Sequence, residues 1–114
     1  MATDQELITQ TVHDYFEGWY DADVARMDRA LHAALVKRSP AEDDGAILTK
    51  DVMLQACDEG EGTRATDRWL KTGIADVCGD IASAVVRSAP YREYLHLIRT
   101  GDGWKIANAL WLPQ

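Results

Sequence analysis

Few residues in this chain could do chemistry, and those few point to proton transfer. His32 and His96 are the candidate bases, and Tyr15 and Tyr94 the candidate proton donors. Asn108 follows Trp104 and Ile106 at alternate positions, so burial on that face would oblige it to find hydrogen-bond partners. Trp19 and Trp69 could add flat apolar surface to a ligand site. The chain contains no HExxH, no CxxC pair, no GxGxxG, no GxxxxGK and no GxSxG, each of which carries a mechanism of its own. The acidic stretches Ala41–Gly45 and Asp58–Gly62 lack the alternating oxygen spacing of a calcium loop. No metal or cofactor is expected, and any reaction would be acid–base.

Each candidate also has a purely structural reading. Tyr15 and Trp19 fall at the spacing that helix burial alone requires. His32 suits a helix end or strand start, where it would make a structural hydrogen bond. Trp69 and Trp111 could pack against a sheet or across a dimer interface. His96 alternates with Arg92, Tyr94 and Ile98, while Glu93, Leu95 and Leu97 share the opposite strand face. A register slip of one residue would exchange His96 for Leu97.

The elements that must position these groups are legible in the periodicity. Thr3 followed by Glu6 is a capping-box pattern, and Ile8, Val12, Tyr15, Phe16 and Trp19 then form one face of an amphipathic helix. Asp21-Ala-Asp23 restarts the chain, with Val24, Met27, Ala30 and Leu31 as the stripe of a second helix and His32 at its end. Ala34–Ser39 reads as a first strand ended by Pro40, Ala46–Thr49 as a short return strand, and Asp51–Cys57 as a third helix. Trp69–Val77 and Ile81–Ala89 read as strands. Two alternating runs around Gly101-Asp-Gly103 read as a closing β-hairpin. Helices early and antiparallel strands late make an α+β domain.

The 114 residues fit a single domain, 1–114, with 46% hydrophobic and 27% charged residues. A net charge of -7, with 12 scattered Lys and Arg, argues against nucleic acid and against an anionic membrane surface. No apolar run approaches the ~20 residues of a membrane span. The acidic N-terminus lacks a secretory pattern, so a cytoplasmic location is expected. Cys57 and Cys78 are expected to be free thiols, with a disulfide between them as the alternative.

These features together carry a resemblance. The aromatic stripe of the first helix, the Gly18-Trp-Tyr-Asp-Ala-Asp23 break, and the closing pattern Tyr94-Leu-His-Leu-Ile-x-x-Gly-Asp-Gly-Trp104-Lys-Ile-x-Asn108 resemble the nuclear transport factor 2-like superfamily. The chain is most similar to its small bacterial "putative lumazine-binding" and polyketide-cyclase-like groups. The resemblance implies a cystatin-like roll: a cone-shaped, bent antiparallel sheet packed on N-terminal helices, with a pocket at the open end. It also implies a homodimer through the outer sheet face. The superfamily includes ketosteroid isomerases, dehydratases and polyketide cyclases, so fold alone does not assign a reaction.

An isomerase of that kind needs a carboxylate base on the first strand, and an oxyanion hole of Tyr plus a protonated acid. Tyr15 could match the Tyr. The first strand, however, offers Lys37, Arg38 and Ser39, Glu42–Asp44 lie beyond Pro40, and no matching acid is evident on the later strands. The expected function is a homodimeric protein binding a small apolar or aromatic molecule. Tyr15, Trp19, His32, Trp69, Tyr94, His96 and Asn108 are its pocket candidates. The alternatives are a cofactor-independent lyase or isomerase, with His96 or His32 as base, and an interaction module with a filled core.

Overall fold

A computed structural model describes all 114 residues as three α-helices and a five-stranded sheet. The helices are α1 (Asp4–Tyr20), α2 (Val24–Ala30) and α3 (Lys50–Asp58). The strands are β1 (Leu31–Arg38), β2 (Leu70–Cys78), β3 (Ile81–Ser88), β4 (Tyr91–Thr100) and β5 (Gly103–Pro113), in the order β1-β5-β4-β3-β2. The four later strands are antiparallel neighbours, but β1 runs parallel to β5. The sheet is therefore mixed, where the sequence suggested an antiparallel one. A parallel pair needs a long crossover, and everything between β1 and β5 supplies it.

Local chemistry accounts for the helices. The Thr3 hydroxyl oxygen accepts the Glu6 N–H at 3.2 Å and opens α1. Ile8, Val12, Tyr15, Phe16 and Tyr20 are all buried on one face. Burial of a side chain the size of Phe16 contributes about 2 to 3 kcal/mol. The Asp23 carboxylate caps α2 by accepting the Arg26 N–H, and Thr49 caps α3 by accepting that of Val52. Gly18 permits α2 to cross close to α1, since a Cβ there would lie 3.0 Å from the Met27 nitrogen. Asp14, buried on α1, ties the two helices together through Arg26 and Arg29, each at 3.1 Å. Burial pushes its carboxyl upward, but the guanidinium hydrogen bonds win and hold it below the usual carboxylate range.

The second helix ends one residue earlier than its apolar stripe, at Ala30, so Leu31 and His32 open β1. The expected return strand at Ala46–Thr49 is a single bridge between Leu48 and Lys37. Ala82, Ala84, Val86, Leu95, Leu97, Trp104 and Ile106 line the inner sheet face and join the α1 side chains in one core. Register breaks at Ala75 on β2, at Ala107 on β5 and within β1 bend the sheet around the helices. Cys57 is buried and Cys78 exposed, and they are not paired. No helix is long and apolar enough to cross a membrane.

Candidate functional site

At one end of the sheet the helices and strands enclose a recess of about 610 Å³. Tyr15, Phe16 and Trp19 project into it from α1, and Val52, Met53 and Ala56 from α3. The strands add Lys37 from β1, Tyr91 and Glu93 from β4, and Trp111 and Pro113 from β5. Leu48 and the exposed Glu42, Glu61 and Arg64 form the rim. Trp19 donates its indole N–H to the Tyr91 hydroxyl at 3.1 Å, and the Tyr91 ring meets Trp111 edge-on with centroids 5.6 Å apart. Such edge-to-face pairs hold aromatic walls in fixed orientation.

The floor is polar. Tyr15 donates its hydroxyl to Glu93 Oε1 at 2.9 Å and accepts a hydrogen bond from Lys37 Nζ. Lys37 Nζ lies 3.5 Å from the same Glu93 oxygen, with the two side chains 7% and 3% exposed. The Lys37 ammonium also sits over the rings of Tyr15 and Trp111, 5.0 and 5.3 Å from their centroids. Burial lowers the Lys37 amine below the ordinary lysine value, and the Glu93 charge opposes that shift. Burial raises the Tyr15 hydroxyl well above its ordinary value, and Glu93 adds to the effect. Tyr15 is therefore a fixed proton donor between an amine and a carboxylate.

Two of the residues expected from sequence, Tyr15 and Trp19, meet in this recess. The others do not. Glu93, Leu95 and Leu97 are the buried residues of β4, so Tyr94 and His96 face outward and are exposed. Asn108 sits opposite His96 on that outer face, 3.4 Å from its Nδ1. The cause is the extra residue at Ala107, which reverses the alternation set by Trp104 and Ile106 and brings Ala109 and Trp111 inward. His32 lies in β1, where its Nδ1 accepts the Ala34 N–H at 3.0 Å. Trp69 is half exposed just before β2. His32 and His96 thus share no site with Tyr15.

Lys37, Glu93, Tyr91 and Trp111 were not singled out by sequence as pocket residues. Glu93 on β4 is an acid that meets Tyr15, as the acceptor of its hydroxyl. Its signal was present: an acid alternating with two leucines on one strand face is carried inward with them.

A family model described as "Putative lumazine-binding" matches residues 3–112. No curated protein matches the chain. Among solved structures, a nuclear transport factor 2-like protein of unknown function from Silicibacter pomeroyi is similar at 17% identity and a TM-score of 0.84, over 100% of each chain. A domain of unknown function with a cystatin-like fold from Nostoc punctiforme is 14% identical, with a TM-score of 0.69 over 100% of this chain and 80% of that one. A ketosteroid isomerase-like protein from Erwinia carotovora atroseptica is 15% identical, with a TM-score of 0.66 over 99% and 98%. At such identities the structures speak for the fold alone. The match along nearly the whole sequence carries more: the chain belongs to the "Putative lumazine-binding" family.

Proposed function

We propose that this protein binds a flat, uncharged aromatic or apolar small molecule in the recess. Its ring system would lie among Trp19, Tyr91, Trp111 and Met53, and a polar edge would meet Lys37 and Tyr15. The observation that supports this most directly is the recess itself: aromatic side chains from α1, β4 and β5 and one buried polar cluster at the floor. Its volume of about 610 Å³ lies within the range of small-molecule sites. Two cations, Lys37 and Arg64, face three carboxylates, Glu42, Glu61 and Glu93. That balance offers no surplus positive charge to hold an anion.

A thermal-shift screen against planar aromatic, terpenoid, steroid and pterin-like compounds tests the reading. A ligand at about a hundred times its dissociation constant adds about 2.7 kcal/mol, a shift of several degrees for a domain this size. Trp111→Ala is expected to erase the ligand-induced increment, whereas His96→Ala on the outer face leaves it intact. An increment that survives Trp111→Ala would place the ligand elsewhere.

Assembly belongs to the same proposal. The outer sheet face carries Tyr94 and Leu110 as an opposed pair, 52% and 51% exposed, with Leu112 beyond them. We take this as the surface of a homodimer, since an apolar row across neighbouring strands suits a second copy of the same row. Light scattering should give twice the chain mass for the wild type and a single chain mass for Leu110→Asp. A wild type that stays monomeric at high micromolar concentration would refute it.

A further inference from the structure

The buried amine at the floor of the recess is more than an apolar binding site requires. A lysine and a glutamate in so dry a place contribute little net stability, and apolar side chains of similar volume would serve the core as well or better. Other basic groups of the chain have plainer work. Lys50 pairs with Asp28 and reaches the Leu31 carbonyl, and Arg99 bridges Asp4 and Asp80. Lys37 is the one lysine that lines the recess.

The hydrogen bonds around Lys37 have a direction. Nζ donates to the Tyr15 oxygen, and the Tyr15 hydroxyl donates onward to Glu93 Oε1. Two protons moving one step along this line convert ammonium and carboxylate into a neutral amine and a carboxylic acid. No external base is needed, and burial works against the charge on the Lys37 amine. The amine so formed faces ligand space, beside a hydroxyl already placed to handle the proton of a departing oxygen.

We propose that Lys37 anchors carbonyl ligands covalently, condensing with an aldehyde or ketone carried on an apolar or aromatic body to form a reversible imine. The proposal rests on the recess being a small-molecule site. In the reaction, the Nζ lone pair adds to the carbonyl carbon and the C=O π pair moves onto oxygen, giving a carbinolamine once a nitrogen proton has passed to that oxygen. Tyr15 then donates its proton to the hydroxyl and regains one from Glu93. The C–O bond breaks, water leaves, and the nitrogen lone pair closes the C=N bond. The iminium proton returns to Glu93, so amine plus carbonyl give imine plus water, with no oxidant or reductant. Activation of a lysine by a hydrophobic pocket is a recognised route to such adducts.

The test uses naphthaldehyde as probe, with naphthalenemethanol as the same ring without a carbonyl, and cyanoborohydride to reduce any imine irreversibly. Peptide mapping of the wild-type protein should find the reduced adduct concentrated on Lys37, ahead of Lys50, Lys71, Lys105 and the N-terminal amine. Tyr15→Phe should slow its formation about a hundredfold, the usual scale of an acid–base contribution, while naphthalenemethanol still quenches tryptophan fluorescence. Lys37→Met combined with Glu93→Gln, which leaves no buried charge behind, should abolish it. An adduct spread evenly over the lysines would overturn the proposal. Naphthalenemethanol binding without any Lys37 adduct would overturn the imine and leave the binding reading standing. Absence of both binding and adduct would count against both.

Discussion

Lys37→Met alone is expected to cost about 3 to 5 kcal/mol of folding free energy, the scale measured when one partner of a buried ion pair is removed. The Lys37 and Glu93 side chains are 7% and 3% exposed, so water cannot replace the lost partner. Tyr15 would retain its bond to Glu93 but lose the donor on its other side. Glu93→Leu should be similarly damaging, since it strands the amine between the rings of Tyr15 and Trp111. The double substitution should recover most of the loss, because neither charge remains to be desolvated. Urea unfolding of the four proteins yields the coupling energy directly. Additive losses in the double variant would mean that the two side chains act as separate packing units, and the paired floor described above would have to be abandoned.

The second large effect is expected at Gly62, in the short helical turn Glu61–Arg64 that follows α3. A Cβ there would fall 2.2 Å from the Trp19 carbonyl oxygen and 2.6 Å from its Cδ1. Neither can step aside cheaply, one being helix backbone and the other an indole already fixed to Tyr91. Gly62→Ala should therefore destabilise by about 3 kcal/mol, at the upper end of ordinary overpacking. It should also weaken ligand binding, because Trp19, Glu61 and Arg64 would all shift. Gly101→Ala, where an added Cβ meets nothing within 4 Å, serves as a near-neutral control. If the two variants have the same urea midpoint, the turn does not press against α1 as described.

The elements were easier to read from sequence than the site, and particular residues explain why. The stripe Ile8, Val12, Tyr15, Phe16 and Trp19 is a local pattern, and local patterns need no knowledge of partners. The closing hairpin was legible for the same reason. The two faces of β4 were also visible as two alternating sets, one holding the histidine and the other an acid with two leucines. Leu95 and Leu97 had the stronger claim to the interior, and Glu93 follows them inward.

Lys37 travels with Leu35 in the same way, since both are buried on β1. That the two buried ions meet each other and Tyr15 was not legible, because the contact joins α1, β1 and β4 across 78 and 22 residues of sequence. Asn108 faces outward for a different reason. The bulge at Ala107 answers to how β5 must bend between β1 and β4, and nothing in Lys105–Leu110 announces it.

The wall of the recess divides unequally between the framework of the fold and one connecting stretch. Lys37, Tyr15 and Glu93 stand on α1 and the sheet, whereas Glu42, Leu48, Val52, Met53, Glu61 and Arg64 all come from the chain between β1 and β2. That stretch is joined to β1 by the Leu48–Lys37 bridge and seated on α1 at Gly62. The buried floor and the exposed rim can consequently diverge at different rates among descendants of one ancestor. Exchange of the residues between the bridge and Gly62 would reshape the mouth of the recess, and the amine, the phenol and the carboxylate would pass through unchanged. For protein engineering, that stretch is the place to graft new selectivity, provided that the glycine and the bridge are kept as its two fixed joints.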